Sequence, residues 1–128
     1  MYKKTILIFG VSSFIGSNIA ESLCSDYRIV GTYFDSQIRT KDFLTIKCDV
    51  TNSKLVKGIV NLIRPDIVVY CVGEKSIEAC HNDQKRSDTL NANGIFNVIN
   101  ALDSFSAKFF FFSTAFSFKN EFARIFKT

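Results

Sequence analysis

One glycine ends the first apolar run of this chain and a second opens the helical pattern after it, in Ile6-Leu-Ile-Phe-Gly10-Val-Ser-Ser-Phe-Ile-Gly16-Ser-Asn. A buried strand that turns at once into a helix must pack that helix back on a sheet, which leaves few topologies open. Gly10 permits a tight exit from the strand, with a positive φ expected there. Gly16 lets the helix lie close to the sheet and leaves its first N–H groups free. A pyrophosphate placed at that point meets those donors and the positive end of the helix dipole. A Walker A loop is excluded because Ser17, not a lysine, follows Gly16. The GxGxxG spacing is broken by Ser12, whereas GxxGxxG fits with Ser13 at the middle position. A serine there can approach a phosphate and donate a hydroxyl hydrogen bond. The same residues also make a strand-to-helix turn that holds no ligand.

The rest of the chain repeats the alternation. Thr5–Phe9, Arg28–Phe34, Asp66–Val72 and Lys108–Ser113 read as buried strands, and Phe43–Cys48 as a weaker one. Several are continuously apolar, as a sheet covered on both faces demands. Helical spacing connects Ile15, Ile19, Ala20 and Leu23, then Leu55, Val56, Ile59, Val60 and Ile63, then Leu90, Ile95, Val98, Ile99 and Leu102. Asn52 or Ser53 can cap the second helix and Pro65 ends it. The expectation is one α/β domain over residues 1–118, a Rossmann-like doubly wound parallel sheet of order 3-2-1-4-5 that stops after its fifth strand. Residues 119–128 form a short tail.

Composition narrows the partners. The chain has 128 residues, of which 47% are hydrophobic and 14% aromatic, ample for a core and too apolar for disorder. Sixteen basic against twelve acidic residues give a net charge of +4. The basic residues are scattered, however, and form no stripe for nucleic acid. The apolar stretch Ile6–Phe9 is too short for a signal peptide or a membrane span. Cys24, Cys48, Cys71 and Cys80 form no CxxC pair, so a cytoplasmic protein with reduced thiols is expected. Cys80-His81 is the nearest approach to a metal set, and two adjacent side chains make no ligand cage. No metal is expected.

Further motifs follow in order. Cys48-Asp49-Val50-Thr51 lies after the third strand, and Pro65-Asp-Ile-Val-Val-Tyr-Cys-Val-Gly73 spans the fourth. Leu90-Asn-Ala-Asn-Gly-Ile-Phe-Asn97 lies on the third helix, and Phe112-Ser113-Thr114 ends the fifth strand. Together with the first turn they resemble the N-terminal half of the extended short-chain dehydrogenase/reductase superfamily, where GATGFIG, D-[VL]-T, PDVVINCAG, VNVxGTxNL and F-S-T stand in this order. The branch they resemble most is that of the sugar-nucleotide enzymes, of the dTDP-4-dehydrorhamnose reductase and NAD-dependent epimerase kind. The resemblance implies an NAD(P) cofactor and a sugar-nucleotide substrate. It places the pyrophosphate at Gly10, Ser12, Ser13, Phe14, Ile15 and Gly16, and the adenine at Asp49 and Val50. Cys71, Val72 and Gly73 then run beneath the cofactor, and Asn91 lines the site. The catalytic hydroxyl is Thr114, with Ser113 as the alternative. Read without the resemblance, Asp49 serves equally as a cap of the second helix, and Asn91 and above all Asn97 as solvated helix residues.

Cofactor choice is read at the end of the second strand, where an acid bonds the ribose 2′-OH in NAD enzymes. Aligning Tyr27–Tyr33 with the family's YEVVGLD puts Tyr33 at the acidic position, with Asp35 and Arg39 further on. Asp35 on the ribose gives NAD, whereas Arg39 or Lys41 on a 2′-phosphate gives NADP. The missing acid tips the reading to NADP.

The family's Tyr-xxx-Lys pair, which moves the substrate hydroxyl proton, is absent. No tyrosine follows Tyr70. Ala115 also replaces an acid of the reductase branch. Three readings result: a truncated reductase or epimerase inactive alone, a non-catalytic NAD(P)-binding regulatory or interaction module, and one half of a split enzyme. Phe109–Phe112 places two phenylalanines on each face of the fifth strand. One face is expected to stay open, favouring self-association or a protein partner over that strand.

Overall fold

In the computed structural model, residues 3–72, 84–103 and 105–112 are described, the side chains of 84–91 excepted. Five strands form one parallel sheet of order β3-β2-β1-β4-β5: β1 (Thr5–Phe9), β2 (Arg28–Tyr33), β3 (Leu44–Lys47), β4 (Ile67–Tyr70) and β5 (Lys108–Phe111). Helix α1 (Phe14–Leu23) joins β1 to β2, α2 (Ser53–Ile63) joins β3 to β4, and α3 (Gln84–Ala101) lies between β4 and β5. The expected order and all five strands are present. β1 has the expected bounds, whereas β2 to β5 end one to two residues inside their apolar runs; in β4 and β5, Val72 and Phe112 lie past the last paired rung, Tyr70 with Phe111.

Every residue of β1 is buried, and the strand pairs with β2 on one side and β4 on the other. Its side chains alternate between two apolar layers. Leu7 and Phe9 join Val30, Val68 and Tyr70 under Val56, Ile59 and Val60 of α2 and Ile95, Val98 and Ala101 of α3. Ile6 and Ile8 join Ile29, Val69 and Cys71 with Ala20 of α1 and Val11 of the turn. Each fully buried side chain of this size contributes roughly 1.5–3 kcal/mol. The two layers therefore account for the continuous apolar runs: no strand in the middle of the sheet has a wet face.

Helix α2 shows how its ends are set. Asn52 is the cap, its Oδ1 accepting from Leu55 N at 3.1 Å. At the other end Arg64 takes a left-handed conformation (φ 52°) and its N–H reaches Val60 O, after which Pro65 cannot continue the helix. On β5, Phe109 and Phe111 pack against the α2/α3 layer, while Phe110 and Phe112 remain 48% and 39% exposed. The open face expected of this strand is present among the described residues.

Among the described residues, Tyr70 is fully buried, stacked on Phe111 at 5.9 Å, and its hydroxyl makes no hydrogen bond. An unbonded buried hydroxyl costs free energy that a phenylalanine does not. Tyr70→Phe is expected to stabilise the chain by about 1 kcal/mol. This would appear as a higher urea midpoint with an unchanged slope. A lower midpoint would show that the hydroxyl is bonded in solution.

Candidate functional site

The carboxyl ends of β1 and β4 meet at the turn that leads into α1. Gly10 has φ +87°, and a Cβ there would stand 2.8 Å from Val72 N and 2.9 Å from Cys71 C. Both the conformation and the space require glycine. Gly10 N and Val11 N both donate to Thr32 O, at 3.1 and 2.8 Å, which ties the turn to the end of β2. Gly16 is buried in the first turn of α1, and a Cβ on it would collide with Gly10 O. The two glycines of the motif therefore touch each other through the backbone.

Ser13 has a different task from the one expected. Its Oγ donates to Gly10 O at 2.8 Å and accepts from Gly16 N at 3.0 Å, so it is the N-cap of α1. The hydroxyl proton assigned to a phosphate is already used, and so is the Gly16 N–H that was expected to be free. Phe14 and Ile15 keep the first unpaired N–H groups of α1, since neither bonds to any described residue. Phe14 itself is 81% exposed on the rim, with Ser12 and Ile15 half-buried beside it.

Beneath the turn lies Cys71, fully buried. Burial pushes its thiol up to about 12, against a smaller pull downward from the Ser13 hydroxyl. Val72 beside it is half-buried. At the neighbouring strand end Tyr33 is half-buried, and Cys48 N donates to its carbonyl at 2.8 Å. Asp35 and Arg39 are both exposed beyond it, and Ser36 Oγ donates to Asp35 Oδ1 at 3.3 Å. Burial, then the charge of Asp49, push the Cys48 thiol up to about 11.

Asp49 does not cap α2; Asn52 does. Its Oδ1 instead accepts from Thr51 N at 3.0 Å and Thr51 Oγ1 at 2.6 Å, closing a small turn after β3. Val50 of that turn is buried against α3. Asn97, read as solvated, is half-buried, and its Nδ2 donates to Val50 O at 2.8 Å. No local pattern reveals that bond, because its partners are 47 residues apart. The structure thus gathers Gly10, Ser12, Ser13, Phe14, Ile15, Gly16, Cys71 and Val72 around one turn. Tyr33, Asp35, Asp49 and Val50 lie toward the β2 and β3 ends of the same sheet edge. Gly73, the side chain of Asn91, Ser113, Thr114 and the Cys80-His81 pair lie outside the described residues. Among the described residues no three His, Cys, Asp or Glu side chains form a metal-binding group, and no helix is long and apolar enough to cross a membrane.

The model of the NAD dependent epimerase/dehydratase family matches residues 6–121. The chain belongs to that family. Several solved structures share its fold. UDP-glucose 4-epimerase from Thermotoga maritima, crystallised with UDP-glucose, superposes with a TM-score of 0.73 at 20% identity, over 84% of this chain and 37% of its own. The Bordetella bronchiseptica enzyme WbmH, in complex with NAD+, gives 0.67 at 25% identity, over 80% and 36%. A hypothetical dTDP-4-dehydrorhamnose reductase from Sulfolobus tokodaii gives 0.73 at 18%, over 84% and 38%. This family member therefore spans 36–38% of the length of those three structures.

Two outcomes follow from the turn. Replacing Ser13 by alanine removes the cap and should cost about 1 kcal/mol, whereas glycine should cost only roughly a few tenths. Urea denaturation of the two variants checks the order, and equal losses would contradict the cap. The thiols set an alkaline limit. Unfolded, Cys48 and Cys71 ionise near 9; folded, they hold their protons to about 11 and 12. Their stability contribution is complete below pH 9 and is lost as pH rises toward 11 and 12. Denaturation midpoints measured from pH 7 to 11 should fall above pH 9, and a flat profile to pH 10.5 would contradict this burial.

Proposed function

We propose that this chain binds NAD across the carboxyl ends of β1 and β4, as the cofactor-holding part of a sugar-nucleotide epimerase or reductase. The observation that carries the reading is the α1 turn. It stands where the strand order reverses between β1 and β4, the place where open α/β sheets take their ligands. There the N–H groups of Phe14 and Ile15 have no acceptor among the described residues and lie at the positive end of α1, which suits a pyrophosphate. Gly10 and Gly16 let β1, β4 and the start of α1 close on one another, which sets those N–H groups at the edge of the sheet.

In this reading Asp49 serves the adenine with Oδ2, since Thr51 holds its Oδ1. Two considerations favour NAD over NADP. Asp35 presents a carboxylate beyond β2 that would repel a 2′-phosphate, and WbmH, 25% identical, is solved with NAD+. NAD supplies the hydride chemistry when bound, while this chain's residues hold and orient it. The family relationship, the UDP-glucose complex of the Thermotoga epimerase and the reductase fold of the Sulfolobus structure support a sugar nucleotide as the substrate of the whole enzyme. No Tyr-x-x-x-Lys follows Thr114 in the 128 residues, so the isolated chain is expected to hold cofactor without turnover.

Titration following nicotinamide fluorescence tests the reading. NADH should saturate the chain and bind at least about tenfold more tightly than NADPH, a difference of about 1.4 kcal/mol. Ser12→Asp, which sets a carboxylate in the turn without disturbing either glycine, should weaken NADH by more than about tenfold through charge repulsion. Unchanged binding in that variant would remove the pyrophosphate from this turn.

A further inference from the structure

The turn after β3 depends on a side chain of another element on the same face of the sheet. Residues 49–52 are held internally by Asp49 Oδ1 on Thr51 and by Asp49 O accepting from Asn52 N at 3.0 Å. These bonds give the turn its shape but do not fix where it sits. Among the described residues, the one side chain from another element that bonds to it is Asn97 of α3, whose Nδ2 donates to Val50 O at 2.8 Å. Gly94, one helical turn earlier, faces the same way. A Cβ on it would collide with the Tyr70 hydroxyl and stand 2.8 Å from Val50 Cγ2. Val50 is therefore gripped twice by α3: its side chain by contact at Gly94 and its carbonyl by Asn97. Val98, next to Asn97, is fully buried and prevents the helix from rotating away.

From this we infer that Asn97 is a positioning residue of the cofactor site: it clamps the Asp49–Thr51 turn to α3 and so presets the adenine end of the groove. The inference rests on the reading of the site as a dinucleotide groove, which gives the turn its ligand. The clamp itself does not need that reading. It couples two parts of the sheet edge otherwise joined only through the core, so that movement of α3 changes the adenine end while leaving the α1 turn in place. Gly10 N and Val11 N bond to Thr32 O, and Ser13 to Gly10 and Gly16, without any contribution from α3.

The test uses the full 128-residue chain, wild type and three variants. Asn97→Leu keeps the shape and removes the donor, and Asn97→Ala serves if leucine prevents folding. Asn100→Ala, exposed one turn further on, is the control. Amide hydrogen exchange is followed by NMR without ligand, and ADP-ribose and inorganic pyrophosphate are titrated separately. Losing this partly buried hydrogen bond should speed exchange at Thr51 and Asn52 by about tenfold relative to the β1 amides. It should also weaken ADP-ribose by about tenfold and leave pyrophosphate unchanged. Unaltered exchange at Thr51 and Asn52 would overturn the clamp, as would acceleration spread evenly over the chain. Equal weakening of ADP-ribose and pyrophosphate would overturn its assignment to the adenine end. If the wild type takes no ADP-ribose while the variants still loosen Thr51 and Asn52, the dinucleotide reading fails and the clamp stands.

Discussion

The contact between Gly10 and the backbone of Cys71–Val72 sets the geometry at the carboxyl edge of the sheet. A Cβ at position 10 would enter the space of Val72 N, so β1 and β4 can end side by side only because that atom is missing. The same residue donates to Thr32 at the end of β2, and its carbonyl accepts from Ser13. Three strand ends and the start of α1 therefore meet on one glycine. With φ at +87°, any other residue would strain the backbone as well as collide.

That junction explains why a loosened glycine motif still forms an ordered turn. The spacing tolerates serine at position 13 because its hydroxyl closes a ring with Gly10 O and Gly16 N, so the helix start is stapled from within. The cost is one donor: Gly16 N–H is spent on the cap. What remains for an anion is a pair of N–H groups and the helix dipole, on a rim that also carries the exposed ring of Phe14. A half-buried Cys71 would weaken this arrangement. Fully buried, it keeps its thiol neutral and adds no charge beneath the site.

The opposite end of the groove is organised by different physics. There the turn after β3 is built from short polar side chains that bond to their own backbone, Asp49 to Thr51 and Asn52 to Leu55. Such turns are locally stable but free to shift as units. Tertiary contacts with α3, through Gly94 and Asn97, supply the missing restraint. The two ends of the edge are thus held by separate means, one by backbone packing within the sheet and the other by a helix from the far side of the chain.

The sequence alone determined the elements and their order. Unbroken apolar runs such as Thr5–Phe9 have a single stable destination, a sheet covered on both faces, and Gly10, Asn52 and Pro65 act on their immediate neighbours, so their effects can be read locally. The two glycines of the turn were legible for the same reason. Only the folded structure decided how the polar groups are spent. Ser13 and Asp49 each had more than one partner open to them and took local ones, Gly16 N–H and Thr51, whereas Asn97 leaves solvent, through the tertiary fold, for a carbonyl 47 residues away. Periodicity reports which side chains avoid water. It carries no record of which acceptor lies opposite a given donor once the layers close, and at this site those pairings decide which N–H groups remain for a ligand.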